Sequence, residues 1–325
     1  MRIIEVSQPG GPEVLRIAER DTPQCRDDEL LIRVSAAGLN RADILQRRGH
    51  YPSPSGAPDN PGLEVSGTVA ALGSHATQFN VGDRVCALLQ GGGYSEYCAV
   101  NEGQVLPIPE GLTFVEGAAL PEACFTVWSN LYEFARLTPG ESLLVHGGSS
   151  GIGSCAIQMA HALGNIVYAT AGSDDKARFC ESLGARAAFN YKTQDFVAEI
   201  RKATAERGVD VILDMVGASY LERNLQALAE QGRLVIIAAQ GGSKAQIDLM
   251  SLMQRRLHVT GSMLRTRPVE FKRSIRDKLL QHVWPLFGTG KMKAVIDRTF
   301  DFADAAAAHA YMESSAHKGK IVLTL

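Results

Sequence analysis

Up to about residue 122, apolar positions come in short runs that Gly and Pro punctuate, among them residues 30–34, 64–71 and 84–89. Runs of that length, rich in β-formers, predict strands and hence a compact, mostly β domain. After Pro121 the pattern changes. Strand-like runs at 142–146, 166–170, 209–214 and 233–238 alternate with stretches of helical character at 152–162, 176–183 and near 221–229. Strands alternating with helices predict a parallel sheet covered on both faces, a doubly wound Rossmann arrangement. The amphipathic stretch 271–287 and the terminal β run 320–325 return to the earlier style. The expected fold is therefore α/β: a β-rich domain built from residues 1–122 and 260–325, with a dinucleotide-type domain, 123–259, inserted between its halves.

Composition narrows the partners. With 325 residues, 45% of them hydrophobic and 21% charged, the chain has apolar material for two cores. Its 33 basic and 35 acidic residues give a net charge of −2, with no footprint for nucleic acid or an anionic membrane. A small-molecule partner is expected. Arg2 and Glu5, followed by Pro9 and Gly10, leave no room for the apolar core of a secretion signal. No run approaches the roughly 18 apolar residues of a membrane span. Cys25, Cys86, Cys98, Cys124, Cys155 and Cys180 lie too far apart for a zinc ribbon or a redox dithiol, so idle thiols in a reducing, cytoplasmic setting are expected.

The strongest chemical signal is a buried-type strand, Leu143-Leu144-Val145, that runs through His146 into Gly147-Gly148-Ser149-Ser150-Gly151-Ile152-Gly153 and at once into a helix. In that context the first glycine permits a tight bend, Gly151 lets the backbone approach a diphosphate, and Gly153 lets the helix pack closely on the sheet. The diphosphate would meet free N–H groups at the positive helix end, contacting Gly148, Ser149 or Ser150, and Ile152. Which serine hydroxyl faces it stays open, and an ordinary flexible loop is the alternative. An NAD site usually places an acid at the end of the next strand. Here that strand ends Ala169-Thr170-Ala171-Gly172-Ser173, with Lys176 following, so NADPH is expected, Ser173 and Lys176 meeting its 2′-phosphate. Lys176 also fits a solvated surface lysine, and Asp174 or Asp175 a helix cap or a ribose ligand.

These residues, with Ala37-Gly38-Leu39-Asn40-Arg41-Ala42-Asp43, Asn60-Pro61-Gly62-Leu63-Glu64-Val65-Ser66-Gly67, Gln90-Gly91-Gly92-Gly93-Tyr94 and Gly319-Lys320-Ile321-Val322-Leu323, carry a resemblance over essentially the whole chain. In their order and spacing the chain resembles the zinc-free quinone oxidoreductase branch of the medium-chain dehydrogenase/reductases, and within it the tumour-suppressor-inducible subgroup. The resemblance implies a GroES-like catalytic domain beside the Rossmann domain, and a homodimer. Zinc-dependent relatives carry a cysteine where Asn40 stands and a histidine where Leu63 stands; an amide and an alkyl chain cannot replace those ligands, so no metal is expected. Without a Lewis acid the substrate must itself be electrophilic, which points to zinc-independent, NADPH-dependent hydride transfer to a quinone or similar conjugated carbonyl.

The resemblance further places Asn40 and Thr126 beside the nicotinamide and Tyr51 over the active-site cleft. Tyr191, Gln240, Leu264 and Arg265 follow as cofactor contacts, and His317 borders the cofactor. Tyr51 reads equally as a packing tyrosine or as the group that hydrogen-bonds or protonates the substrate oxygen. Tyr191 also fits a strand-edge tyrosine, and Arg265 a surface ion pair. His50, His146 and His317 receive no proton-transfer role. Two other functions fit the same residues: an enoyl reductase, and a non-enzymatic NADPH-binding protein.

Overall fold

A computed structural model describes all residues from Met1 to Leu325. The strand Glu29–Gly38 organises the first unit, because it pairs antiparallel with three others: Glu64–Leu72, Tyr97–Asn101 and Lys320–Thr324. Its alternate residues Leu30, Ile32 and Val34 point into one apolar cluster with Val65, Val85 and Leu323, as the period-2 pattern requires. The sheet continues outward through Arg84–Leu88 to Val105–Pro107 on one side and through Lys320–Thr324 to Ile296–Asp301 on the other, where the pairing is parallel. The last strand of the chain thus lies beside one of the first.

The second unit is a six-stranded parallel sheet in the spatial order Ala187–Asn190, Ile166–Ala171, Ser142–Val145, Val209–Asp214, Leu228–Ile236 and His258–Gly261. Numbered along the chain this is 3-2-1-4-5-6, the doubly wound order. Val209–Asp214 is buried at every position, so Val211, Ile212 and Leu213 follow one another without a polar residue between them. The core of this unit gathers Leu144, Tyr168, Phe196, Ile212 and Leu234.

The units comprise Met1–Phe125 with Arg265–Leu325, and Thr126–Leu264. Both boundaries fall a few residues beyond the expected breaks at 122 and 259. The first lies inside the helix Pro121–Trp128, where no loop composition marks it. One stretch is resolved into its elements and one element expectation changes. The amphipathic stretch 271–287 falls in two helices, Val269–His282 and Trp284–Gly288, with Pro285 in the first turn of the second, where its missing N–H is tolerated. The strand expected at 233–238 begins earlier, at Leu228, directly after a helix that ends at Ala227; Gln231 at φ 60° hid the join from a periodicity argument.

Candidate active site

In the second unit the strand Ser142–Val145 delivers the chain to a turn whose helix, Gly151–Ala162, is capped by Ser150: its Oγ accepts from the Gly153 N–H at 3.0 Å. The Gly148 N–H donates to the Thr170 carbonyl at 2.9 Å, tying the turn to the neighbouring strand. The N–H groups of Ser149, Gly151 and Ile152 have no partner within the chain. A side chain at Gly153 would meet the Gly147 carbonyl oxygen at 2.3 Å and the Gly148 Cα at 2.6 Å, so the helix approaches its own turn as only glycine allows. Gly147 needs its freedom differently, at φ 65°. Ser150 is spent as a cap, which leaves the buried Ser149 hydroxyl as the other one in the turn.

His146 belongs to the core of this unit. It is fully buried between the rings of Phe196 and Tyr220, whose centroids both lie 4.9 Å away. Its Nε2 donates to Asn224 Oδ1 at 2.7 Å and its Nδ1 accepts from the Thr170 hydroxyl at 2.9 Å. Burial lowers its pKa to about 4, so it stays neutral.

At the end of the second strand, Ser173 caps the helix Asp174–Ser182 by accepting from the Lys176 N–H at 3.2 Å. Asp174 is therefore not the cap; its Oδ1 accepts from Asn190 Nδ2 at 2.7 Å. The Tyr191 side chain is 41% exposed and its hydroxyl would lie 2.8 Å from a Cβ on Gly172, which sets the ring across the end of the neighbouring strand. Gly172, Ser173, Lys176 and Tyr191 thus meet at one end of the sheet. Gln240 is exposed in the loop after the fifth strand, its N–H reaching the Met215 carbonyl at 3.3 Å. Thr126 and Leu264 are buried at the two ends of the unit's sequence.

The first unit holds a buried cluster of charges. Glu64, fully buried, accepts from Asn40 Nδ2 at 2.9 Å on Oε1, where the Lys320 ammonium also binds, and from the Glu122 N–H at 2.9 Å on Oε2. Lys320 donates as well to Asn40 Oδ1 at 2.8 Å and to the Leu39 carbonyl at 3.0 Å. Both ends of the Asn40 amide are therefore fixed, and its backbone N–H is held by Asp43 Oδ2 at 2.8 Å. Asp43 is buried, which raises its pKa to about 6 against the pull of the Gly62 and Asn40 N–H groups. From it a chain of polar groups leads outward: the Tyr94 hydroxyl at 3.4 Å, then His309, then Arg47, which is fully buried and pairs with Glu313 at 2.7 Å. His309 Nδ1 accepts from Arg47, so Nε2 carries the proton toward Tyr94; burial and that cation lower its pKa to about 3.

Tyr51 lies in the segment between the helix Arg41–Arg47 and the strand Glu64–Leu72, half-buried, with the Arg265 guanidinium 5.1 Å from its ring centroid. Burial and the Glu122 carboxylate raise its pKa, and Arg265 opposes them. Arg265 forms no surface ion pair: it is 5% exposed and its partners are neutral groups of the first unit, Gln90, Gln46, Ser53 and Tyr51. His317 sits before the last strand, its ring 6.4 Å from that of Tyr311. Asn40, Tyr51 and Arg265 thus belong to one neighbourhood, and His317 lies beside Tyr311 of the same unit's last helix. Glu64, Lys320, Asp43, Glu122 and Lys272 were not singled out from the sequence. The usable signal was a charge set inside or beside an apolar run, as at Glu64 and Lys320. No group of three or more His, Cys, Asp or Glu side chains is arranged to hold a metal ion.

Glu122 gives a pH test. Although the residue is partly accessible, burial of its carboxyl and the charge of Glu64 raise its pKa from 4.5 to about 8. Unfolding therefore releases a proton between those values, and stability falls as pH rises through that window, levelling off above it. Glu122→Gln should flatten this decline. Urea midpoints from about pH 5 to about pH 9 check it, and parallel profiles for the two proteins would refute the assignment.

Comparison with known proteins places these features. The alcohol dehydrogenase GroES-like domain family matches residues 26–110 and the zinc-binding dehydrogenase family residues 151–284. Quinone oxidoreductase of Rattus norvegicus is 33% identical over 331 residues, covering 100% of this chain and 98% of that protein. The solved quinone oxidoreductase of Escherichia coli, complexed with NADPH, superposes with a TM-score of 0.88 at 29% identity over 100% of both chains. The CurK enoyl reductase does so with a TM-score of 0.87 at 29% identity, over 99% of this chain and 98% of that one. With such identity along its full length, the chain belongs to the quinone oxidoreductase branch of the medium-chain dehydrogenase/reductase superfamily.

Proposed function

We propose that this protein is a cytoplasmic, zinc-independent NADPH:quinone oxidoreductase that acts as a homodimer. The turn at residues 147–153 carries the proposal: three unpaired N–H groups at a capped helix N-terminus, with a glycine cradle too tight for any side chain, suit a diphosphate. Ser149 and the N–H groups of Gly151 and Ile152 would hold it, Ser173 and Lys176 the 2′-phosphate, with Tyr191 beside them. Neither the strand Ile166–Ala171 nor Gly172 and Ser173 after it offers a carboxylate to a ribose, and Asp174 is occupied by Asn190. When bound, NADPH supplies the hydride; the chain supplies orientation and charge.

Asn40 cannot serve as a metal ligand while both ends of its amide are taken by Glu64 and Lys320, and the Leu63 side chain has no donor atom. Asn40 and Leu63 therefore support a reading without zinc, although one matched family is described as zinc-binding. A quinone suits a site without a Lewis acid because its reduced form is a stabilised anion. The Tyr51 hydroxyl, kept protonated by its raised pKa, would donate to the oxygen that gains charge. Likeness to the CurK enoyl reductase supports reduction of an enoyl thioester as the second reading.

The homodimer has its own support. His258–Gly261 is an edge strand exposed at every residue, flanked by Leu249, Met250, Met253 and Met263, all more than half exposed. Unpaired edge groups beside an apolar patch suit pairing with a second copy. Met253→Glu should yield a monomer in sedimentation; a wild-type chain that already sediments as a monomer would contradict the dimer.

The function is tested by NADPH oxidation with a panel of quinones beside enoyl thioesters, in the presence of a chelator. Quinone turnover should persist and exceed that with thioesters, and Lys176→Ala should raise KM for NADPH by roughly 10-fold while sparing NADH. Turnover with thioesters alone would favour the enoyl reductase, loss on chelation would restore a metal, and binding without turnover would leave a non-enzymatic NADPH protein.

A further inference from the structure

Arg265 is a buried cation without a counter-ion. Its guanidinium binds only neutral groups: Nε donates to the Gln90 carbonyl at 2.7 Å, and Nη2 to Gln46 Oε1 at 2.8 Å and to Ser53 Oγ at 3.1 Å. Nη1 reaches the Tyr51 carbonyl at 3.4 Å. No carboxylate lies within ion-pair distance. Such burial is costly, and burial lowers its pKa accordingly. The group must therefore be held by geometry.

That geometry is a closed triangle. Gln46, on the helix Arg41–Arg47, accepts from Arg265 and donates through Nε2 to Ser53 Oγ at 3.1 Å and to the Asp59 carbonyl at 2.8 Å. Ser53 completes the triangle by accepting from Arg265 as well. The hub itself is pinned from behind, since the Arg265 carbonyl accepts from Gln90 Nε2 at 3.1 Å and from the fully buried Lys272 at 3.0 Å. The Gly-rich segment closes in on the same point: a side chain at Gly91, which sits at φ 150°, would come within 2.7 Å of the Pro58 carbonyl and 3.3 Å of Arg265 Nη2. Residues 48–60 contain no helix or strand, yet their path is fixed at residues 51, 53 and 59 by this clasp.

We propose that Arg265 is a positioning residue, clasping the segment that carries Tyr51 to the helix Arg41–Arg47 and to Gln90 and so fixing where the Tyr51 hydroxyl stands. The kinetic part rests on the proton-donor role of Tyr51 proposed above; the clasp itself does not. A planar fork with five donors reaches four acceptors on three segments at once. A lysine ammonium, a point charge with three donors, cannot.

The test combines hydrogen exchange with kinetics on the full-length protein. Arg265→Met and Arg265→Lys should both speed amide exchange in peptides covering residues 48–60 by about 10-fold or more, with the Gly-rich turn at 147–153 unchanged. With weakly activated quinones kcat should fall by roughly 10-fold. Added to Tyr51→Phe, Arg265→Met should cause no further loss of kcat, because both act through one hydroxyl. Unchanged exchange at 48–60 overturns the clasp whatever the activity, and an additive loss of kcat overturns its action through Tyr51. An unchanged kcat in Tyr51→Phe alone defeats the proton-donor reading, while the exchange result still decides the clasp. If Arg265→Met does not fold, Ser53→Ala removes one corner of the triangle and is read in the same two ways.

Discussion

The first unit depends on one buried ion pair. Lys320 and Glu64 meet where almost no water reaches, their side chains 6% and 0% exposed. Removing two charges from water costs several kcal/mol each, and the cost is offset only when every remaining donor and acceptor finds a partner. Here the partners are Asn40, the Leu39 carbonyl and the Glu122 N–H, so the pair is the centre of a fully bonded network. Its two members come from opposite ends of the sequence. The pair therefore closes the unit across the inserted segment, and it does so through the residues that fix Asn40.

Around that centre the site is built of groups whose freedom has been removed. Asn40 can neither rotate nor flip without breaking two charged hydrogen bonds. Asp43 holds the same residue from its backbone side and starts the polar chain through Tyr94 and His309 to Arg47. The second unit works by other means. Its phosphate cradle is backbone, shaped by glycines and by the Ser150 cap, and it needs no buried charge.

How much of this could be read in the sequence follows from the range of each interaction. The parallel sheet and its turn were legible because strand, Gly-rich turn and helix are consecutive in the chain, and the turn's chemistry is local. Ser173 was singled out for the missing acid, though its capping of the next helix was not foreseen. The Lys320 to Glu64 pair was not legible: it spans most of the chain, and each residue alone reads as the polar end of a strand. The bonding of Arg265 and of Lys272 was opaque for a related reason. Their partners are carbonyls and amides, which carry no charge pattern that a sequence displays. The break between the two helices in 271–287 was legible in principle, because Pro285 is tolerated only in a first helical turn.

If the Lys320–Glu64 pair is the keystone of the first unit, the two residues must be energetically coupled. Unfolding free energies of Lys320→Met, Glu64→Gln and the double variant measure that coupling directly. Each single change should cost about 3–5 kcal/mol, because it strands a buried charge, and the double variant should lose far less than the sum. Losses that simply add, or single losses below about 1 kcal/mol, would contradict the dependence of the fold on this pair.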